Sequence, residues 1–531
     1  MSSSGSAAAG SPFAPFAHRA FALLWTATLI SNIGTWMHEV GAGWLMTELS
    51  PSPAVVTLVQ AATSLPVFLF ALFAGTLADR LDKRRMLIAI NLGLFVVIST
   101  LAALVWAGAI TPPLLILFTL AIGTGAAFMA PAWQAIVPVL VPRSDLQAAI
   151  GLNSMGINVS RAIGPAVAGL LIAAVGLAAP FALNAASHLV IIGALLLWRP
   201  ETAATPRRSH LSITQDMATG LRHVRHNMPM RKTLIRSLAF FIFASAFWAM
   251  MPLIARDADD AGSSLYGFLV ATVGTGAVIG ALTLPYMKRS LNADRTVQIG
   301  TALTAAALVG FALSSATIVL LPSALLGGVA WILVLTSLNV SAQMALPDWV
   351  RARGLAVNLM VFFGSMSAGS LIWGQVASRA SVDLALLIAA GGLILGMLGT
   401  LHLKIATSGE VDLSPANAWP EAPALATDQS EDATAIVMIQ FQIAPADKAA
   451  FLDAAYALSA ERYRDGATHW AIVQDINETS TWVEIFQLPS WAEHLRQHDR
   501  NTTADAELRR RLHAFDKRPD GPVIRHFIAS S

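Results

Sequence analysis

The 531 residues contain no cysteine, and only 12% of them are charged. Without thiols there is no disulfide framework, no thiolate metal site and no thiol nucleophile. Soluble domains carry about 25% charged residues, so roughly half the usual charge is missing. A soluble protein of this length needs more polar surface than these residues supply. The phosphate-cradling pattern G-x-x-x-x-G-K-[ST] is also missing, so nothing in the chain suggests ATP drive. What is abundant is apolar: 55% hydrophobic residues and a mean hydropathy of +0.61. Those values exclude disorder, collagen and a simple coiled coil.

The net charge of +2 conceals a division. Residues 1–408 hold 23 Lys+Arg against 13 Asp+Glu, whereas residues 409–531 hold 11 against 19. A basic, apolar segment is therefore joined to an acidic, polar one near residue 410. The first reads as a membrane domain and the second as a water-soluble domain.

A helix needs about 20 apolar residues to cross a bilayer. Twelve stretches qualify: 21–45, 54–78, 86–108, 113–136, 150–176, 179–198, 234–255, 265–287, 295–315, 318–342, 353–376 and 383–404. Residues 137–152 are expected to form an amphipathic approach to the fifth. With the N-terminus inside, the inner segments collect 20 basic residues, the outer ones only Arg256 and Arg379. The positive-inside rule thus places both termini, and the soluble domain, in the cytoplasm. Residues 1–18 are expected to be a flexible tail. They are not a signal peptide, because no basic residue precedes His18 and the apolar run that follows is too long.

The loop 199–233 divides the spans into two sixes, 19–198 and 234–405. The halves echo one another. Gln134 to Pro138 reads QAIVP and is followed by Asn153 and Met155; Gln343 to Pro347 reads QMALP and is followed by Asn358 and Met360. Duplicated six-helix halves are a common plan of secondary transporters, with the substrate site between them.

The loop between the second and third spans reads GTLADRLDKRRML, Gly75 to Leu87. Gly75 permits close helix packing, Asp79 suits a neighbouring helix N-terminus, and the basic run suits an anionic leaflet. A basic loop that merely fixes topology is the alternative. Here the chain resembles the major facilitator superfamily, whose signature in this loop is G-x-L-A-D-R-x-G-R-K-x-x-L. Gly75, Leu77, Ala78, Asp79, Arg80 and Leu87 match, Lys83 and Arg84 fill basic slots, and Asp82 replaces the second glycine. The resemblance implies that Asp79 and Arg80 latch inner helix ends in the outward-facing state, against the helix starting near Arg353.

In the fifth span Gly156, Ser160, Gly164, Pro165, Ala168 and Gly169 resemble the G-P-x-x-G-G motif of exporters in that superfamily. Small residues four apart let helices approach closely and proline permits a bend, which is a packing role in its own right. One feature departs from the drug exporters: their fourth-span arginine slot is Thr119 here, ahead of Gly123 to Ala127. The stretches Gln134 to Ser154 and Ser160 to Gly169 resemble a narrower group, comprising the enterobactin exporter and the transmembrane secretion effectors.

Ionisable residues inside spans are costly and mark function by default. Glu39 lies in the first span on the face of Asn32 and Trp36, and Arg161 lies in the fifth. Helical rise offsets the two by about 13 Å, which argues against a simple ion pair. Either contacts substrate or serves coupling, or else Glu39 is a solvated residue and Arg161 ties helix ends together. Asn32, Gln134, Asn158, Asn184, Asn339 and Gln343 are cavity candidates, with interhelical bonding as their alternative. His38 and His188 look isolated and structural.

Residues 406–433 read as a linker. From 434 to 531 the apolar period changes to two, then alternates with helical stretches, giving βαββαβ, a ferredoxin-like order. The segment Trp482 to Arg500, WVEIFQLPSWAEHLRQHDR, resembles the dimeric α+β barrel of small antibiotic-biosynthesis monooxygenases; the domain is expected either to form a homodimer of the transporter or to sense its cytoplasmic cargo. No reactive constellation is visible. His494 and His498 are one turn apart but lack a third ligand, so no metal or other cofactor is expected, and the pair is read as helix-surface or interface residues.

The sequence thus reads as an all-α membrane protein of twelve helices with a small C-terminal α+β ferredoxin-like domain. It is expected to export a small amphipathic molecule (a siderophore, drug or secondary metabolite) across the bacterial inner membrane by alternating access. The proton is the candidate coupling ion; the partners are substrate and lipid, without nucleic acid. A non-transporting receptor or scaffold, and a membrane-tethered enzyme working through the soluble domain, are the alternatives.

Overall fold

A computed structural model of the chain describes residues 13–142, 144–198, 213–259, 262–347, 349–405, 412–414, 416 and 430–529. The expected tail and linker therefore lie largely outside the described residues. So do the side chains of Asp79 and Arg80, on which the latch expectation rests.

Twelve helices among the described residues are long and apolar enough to cross a membrane. The first six are α1 (Arg19–Leu49), α2 (Pro53–Arg80), α3 (Lys83–Trp106), α4 (Pro112–Leu140), α5 (Leu146–Val175) and α6 (Ala178–Leu197). After a shorter helix, α7 (Ile213–His226), come α8 (Met228–Asp257), α9 (Ser263–Met287), α10 (Ala293–Leu313), α11 (Thr317–Met344), α12 (Arg351–Arg379) and α13 (Val382–Gly399).

Two expectations about this region are corrected. Residues 137–152 form no separate approach. They are the end of α4 and the start of α5, parted because Pro142 forces Val141 into extended backbone (φ −139°, ψ 152°). The loop 199–233 holds α7, which sequence periodicity missed. Its buried positions are Thr219, Gly220, His223 and Val224, which show helical spacing but little apolar character.

The chain packs as two compact units, one drawn from 1–210, 235–339 and 358–404, the other from 211–234, 340–357 and 405–531. In the first unit the loops alternate between a basic end and a charge-poor end. Arg84 at the basic end donates to the carbonyls of Leu195 (2.7 Å) and Leu196 (3.1 Å), covering the free C-terminal carbonyls of α6. Asp82, the residue in place of the second glycine, accepts from the Arg85 amide at 2.7 Å and caps α3. Arg236 pairs with Asp294 and so ties α8 to α10.

The repeated asparagines have matching work. Trp133 of α4 donates to Asn153 of α5 at 3.3 Å, and Asn358 of α12 donates to Asn339 of α11 at 3.0 Å. Each half thus bonds its fourth span to its fifth.

The second unit contains the soluble fold: β1 (Ala435–Gln442), α14 (Lys448–Asp465), β2 (His469–Gln474), β3 (Thr481–Leu488), α15 (Trp491–Asp499), α16 (Thr503–His513) and β4 (Val523–Ile528). The strands are antiparallel in the order β2-β3-β1-β4, the ferredoxin-like arrangement. Val437, Ile439 and Phe441 alternate onto the buried face and meet Phe451, Leu458 and Phe486. The same unit includes α7 and the turn between α11 and α12. Arg222 of α7 pairs with Glu493 at 3.0 Å, and Arg500 also reaches Glu493, at 2.6 Å. The Arg500 guanidinium lies over the Trp349 ring at 4.7 Å, while His223 meets that ring edge-on at 5.3 Å. Asn227 closes the joint by donating to the Ala345 carbonyl at 2.7 Å.

Candidate functional site

The two six-helix halves of the membrane unit meet along two seams. In the first, α5 crosses α9 so closely that a Cβ on Gly169 would lie 2.7 Å from the Ser263 carbonyl, and one on Gly267 would lie 2.6 Å from that of Pro165. Gly274 repeats the fit farther down, 2.9 Å from the Arg161 carbonyl. In the second seam the Ala54 amide of α2 donates to Ser378 of α12 at 2.8 Å, and Gly374 sits against Thr57. Gly164 and Gly156 face α1 instead, against Trp36 and Trp25. The span-five motif is therefore a two-sided packing surface, and Pro165 lies in the stretch where both sides are in contact. Both seams lie from mid-bundle towards the charge-poor end. By contrast, a Cβ on Gly75 would meet nothing within 4 Å among the described residues.

Between the halves lies a cavity of 460 Å³. Its walls differ. The N-terminal half contributes Glu39, Gln60, Thr119, Arg161, Asn184 and His188; the C-terminal half contributes Trp248, Tyr266, Trp331, Phe362 and Phe363, with Asn339. The aromatic wall is internally packed, Trp248 meeting Trp331 edge-on at 5.5 Å and Trp331 lying 6.3 Å from Phe362. Of the sequence candidates, Glu39, Arg161, Asn184 and Asn339 share the cavity. Asn32, Gln134 and Gln343 are not among its lining residues, and Gln134 and Gln343 are exposed. Both glutamines fall in the last two turns of their helices, below the level of the cavity.

Glu39 is exposed into the cavity although it sits ten residues from the end of α1. The Arg161 guanidinium lies over the Trp36 ring at 5.3 Å, and its Nε is buried without a hydrogen-bond partner. No hydrogen bond or salt bridge joins the two, although each lies within the other's electrostatic reach. Trp25 donates to the Leu152 carbonyl and Ser160 to that of Leu29, so the Arg161 backbone is level with Ile30, nine residues or about 13 Å below that of Glu39. The Arg161 side chain rises along α1 to Trp36, which stands one turn before Glu39.

His38 and His188, expected to be isolated, are not. Both line the cavity; His188 bonds Asn91 at 2.8 Å, and His38 packs edge-on to Phe181 at 5.0 Å. The aromatic wall was also missed, because Trp and Phe in an apolar span carry no signal that separates cavity from core. The arginine slot of the drug exporters, Thr119, faces this cavity too, its hydroxyl turned back onto the Leu115 carbonyl at 2.8 Å. The cation of this cavity comes from α5.

In the soluble unit, His494 is fully buried rather than on the helix surface. Its ring stands 4.7 Å from that of His498 and 5.0 Å from that of His526, and burial holds its imidazole well below the ordinary value, at about 3. Glu461, Asp465 and Asp505 bring carboxylate oxygens within 4.8 Å of one another. Arginines already face them: Arg464 contacts Asp505 at 2.7 Å and Asp465 at 3.2 Å, and Arg509 reaches Glu461 at 3.5 Å. This is a neutralised structural cluster.

Comparison with known proteins adds the following. A family model described as transmembrane secretion effector matches residues 10–531, through the soluble unit. The Staphyloferrin A transporter of Staphylococcus aureus is 24% identical over 343 residues, which cover 64% of this chain and 85% of its own. Multidrug efflux pump Tap of Mycolicibacterium fortuitum is 24% identical, covering 74% and 97%. Macrolide efflux protein A of Streptococcus pyogenes is 24% identical, covering 54% and 73%. Among solved structures, nucleoside transporter NupG superposes with a TM-score of 0.59 at 13% identity, over 72% of this chain and 98% of its own. A bacterial homolog of the human lysosomal transporter Spinster gives 0.53 at 15%, over 74% and 95%. At these identities the structures speak for the fold alone.

Proposed function

Because the chain belongs to the transmembrane secretion effector family of major facilitator transporters, we propose that it exports a small amphipathic molecule across the bacterial inner membrane in exchange for protons. The observation that carries this reading is the cavity between the halves, polar and charged on one wall and aromatic on the other. An amphipathic cargo matches both walls at once. The 20 basic residues of the terminal segments and even-numbered loops favour a cytoplasmic basic end, with both termini and the soluble unit on that side. The seams then join the halves on the periplasmic side, and the unpacked Gly75 suits an unlatched cytoplasmic side; together they read as the inward-facing state. On this reading 19–198 and 234–405 are the rocking halves, and Gly75, Asp79, Arg80, Lys83 and Arg84 form the cytoplasmic latch. Gly156, Gly164, Pro165 and Gly169 form the bearing.

Glu39 is the coupling residue of this reading. A carboxylate open to the cavity takes a proton or faces cargo, and competition between the two makes exchange obligatory. The soluble unit, with its ferredoxin-like strand order, is read as a non-catalytic homodimerisation element. The sheet face opposite its core carries Ile436, Met438, Val483, Ile485 and Phe527 in register. Uptake into inverted vesicles with an acidified lumen tests the carrier, with a macrolide and staphyloferrin A as first cargoes. Collapsing the gradient, or Glu39→Gln, should abolish accumulation above the passive level. No uptake of any cargo under any imposed gradient sinks the reading.

A further inference from the structure

We propose that the cargo is zwitterionic: an apolar body bearing both a cationic and an anionic group, read by Glu39 and Arg161 respectively. The inference rests on the carrier reading and names the substrate class of the same cavity. One carboxylate and one guanidinium line this space; they feel one another's charge but make no hydrogen bond or salt bridge. Glu39 is open to the cavity, and the Nε of Arg161 is buried without an acceptor. Attraction across the gap offsets only part of the cost of a charge within a bilayer-spanning bundle, so each group gains from a directly bonded counter-charge that the cargo supplies.

The signs then select the cargo. A cation attracted by Glu39 meets repulsion from Arg161, and an anion attracted by Arg161 meets repulsion from Glu39. In a cavity of low dielectric these opposing effects are of similar size and largely cancel. A molecule carrying both groups gains from each residue and is opposed by neither. The geometry sets its orientation: the ammonium points towards the charge-poor end, where Glu39 sits, and the carboxylate points to mid-bundle. Trp36 already meets the guanidinium with its ring face, and the group's donors can fork onto a carboxylate. The opposite wall of Trp248, Trp331 and Phe362 takes the apolar body, and indole or phenyl faces tolerate a range of bodies. Charge is thus specified more tightly than shape.

Three probes with one fluorescent body separate the cases: Nε-dansyl-lysine (zwitterion), dansylcadaverine (cation) and dansyl-6-aminohexanoate (anion). Binding to the purified full-length protein is read at pH 7 from dansyl emission. The zwitterion is expected to bind at least tenfold more tightly than either relative. Glu39→Gln should make the anion the best ligand, and Arg161→Gln the cation. Each substitution thus raises one affinity, a result that a misfolded protein does not give. Equal binding of all three probes, binding by none, or a ranking that both substitutions leave unchanged overturns the proposal. Proteoliposome uptake keeps the two readings apart. The expected charge ranking without uptake under any gradient refutes the carrier and leaves the zwitterion site standing; uptake without charge ranking does the reverse.

Discussion

Arg84 is a basic residue of the loop motif, and it acts on the helix beside it. Its two bonds to Leu195 and Leu196 satisfy carbonyls that α6 leaves open. Arg84→Ala should cost about 1–2 kcal/mol, the low end for bonds to a charged group because the site is half exposed, while Arg84→Lys recovers part of it. Thermal unfolding of the detergent-solubilised protein measures both. Glu461 supports a prediction with a defined pH window. Burial first, and then Asp505 and Asp465, push its carboxyl up from 4.5 to about 8, against the pull of Arg462 and Arg509. The folded chain therefore holds a proton that the unfolded chain releases, and the stability gained from it is lost as pH rises from 4.5 towards 8. His494 and His513, held down near 3 and 4 by burial, give the opposite slope, but only below 6.5. Between pH 6.5 and 8 Glu461, together with the neighbouring Asp465 whose carboxyl burial also pushes up, should dominate the soluble unit. Its melting temperature should fall across that interval, and Glu461→Gln should flatten the fall; an equal fall in both proteins refutes the assignment.

Among the elements, the long apolar spans and the four strands were legible because each has one strong period and one kind of partner. The crossing of α5 and α9 was half legible: the motif residues Pro165 and Gly169 were visible, but Gly267 and Gly274 were not, since two lone glycines in an apolar helix have no pattern until their partner is known. Helix α7 was invisible for a related reason. Its packed face binds through Arg222, His223 and the neighbouring Asn227, so its stability comes from specific polar partners rather than from burial of apolar stripes. Glu493 is the centre of that joint, accepting from Arg222, Arg500 and Arg496, which outweigh its burial and hold its carboxyl below the ordinary value. Glu493→Gln leaves Arg222 and Arg500 facing one another without the carboxylate they share, and should cost on the order of 2 kcal/mol locally. Hydrogen exchange should show residues 217–226 losing protection while β1 and β3 keep theirs. A double-mutant cycle with Arg222→Ala measures the coupling, and a coupling near zero removes Arg222 from the joint.

At the scale of the whole molecule, the lack of cysteine becomes experimentally useful, because any introduced thiol is the only one present. Ala109 lies exposed in a charge-poor loop and Ser290 in a basic one. If the basic end is cytoplasmic, a membrane-impermeant maleimide should label Ala109→Cys in intact spheroplasts and Ser290→Cys only after permeabilisation; the reverse pattern inverts the proposed topology. The same reagent reports on alternating access. Ala126 lines the cavity and is exposed there, so Ala126→Cys should be shielded from the periplasm while the α5–α9 seam is closed. Gly267→Leu drives a side chain into a gap where even a Cβ lies 2.6 Å from the Pro165 carbonyl. Backbone cannot yield there as a flexible side chain would, so the seam should be held open and the population shifted towards the outward-facing state. Labelling of Ala126→Cys from outside should then rise at least tenfold in the Gly267→Leu background, while export falls to the passive level. Loss of export without a gain in labelling means that the substitution damages packing and does not act as a wedge. A gain in labelling that leaves export intact means that this seam is not the periplasmic gate.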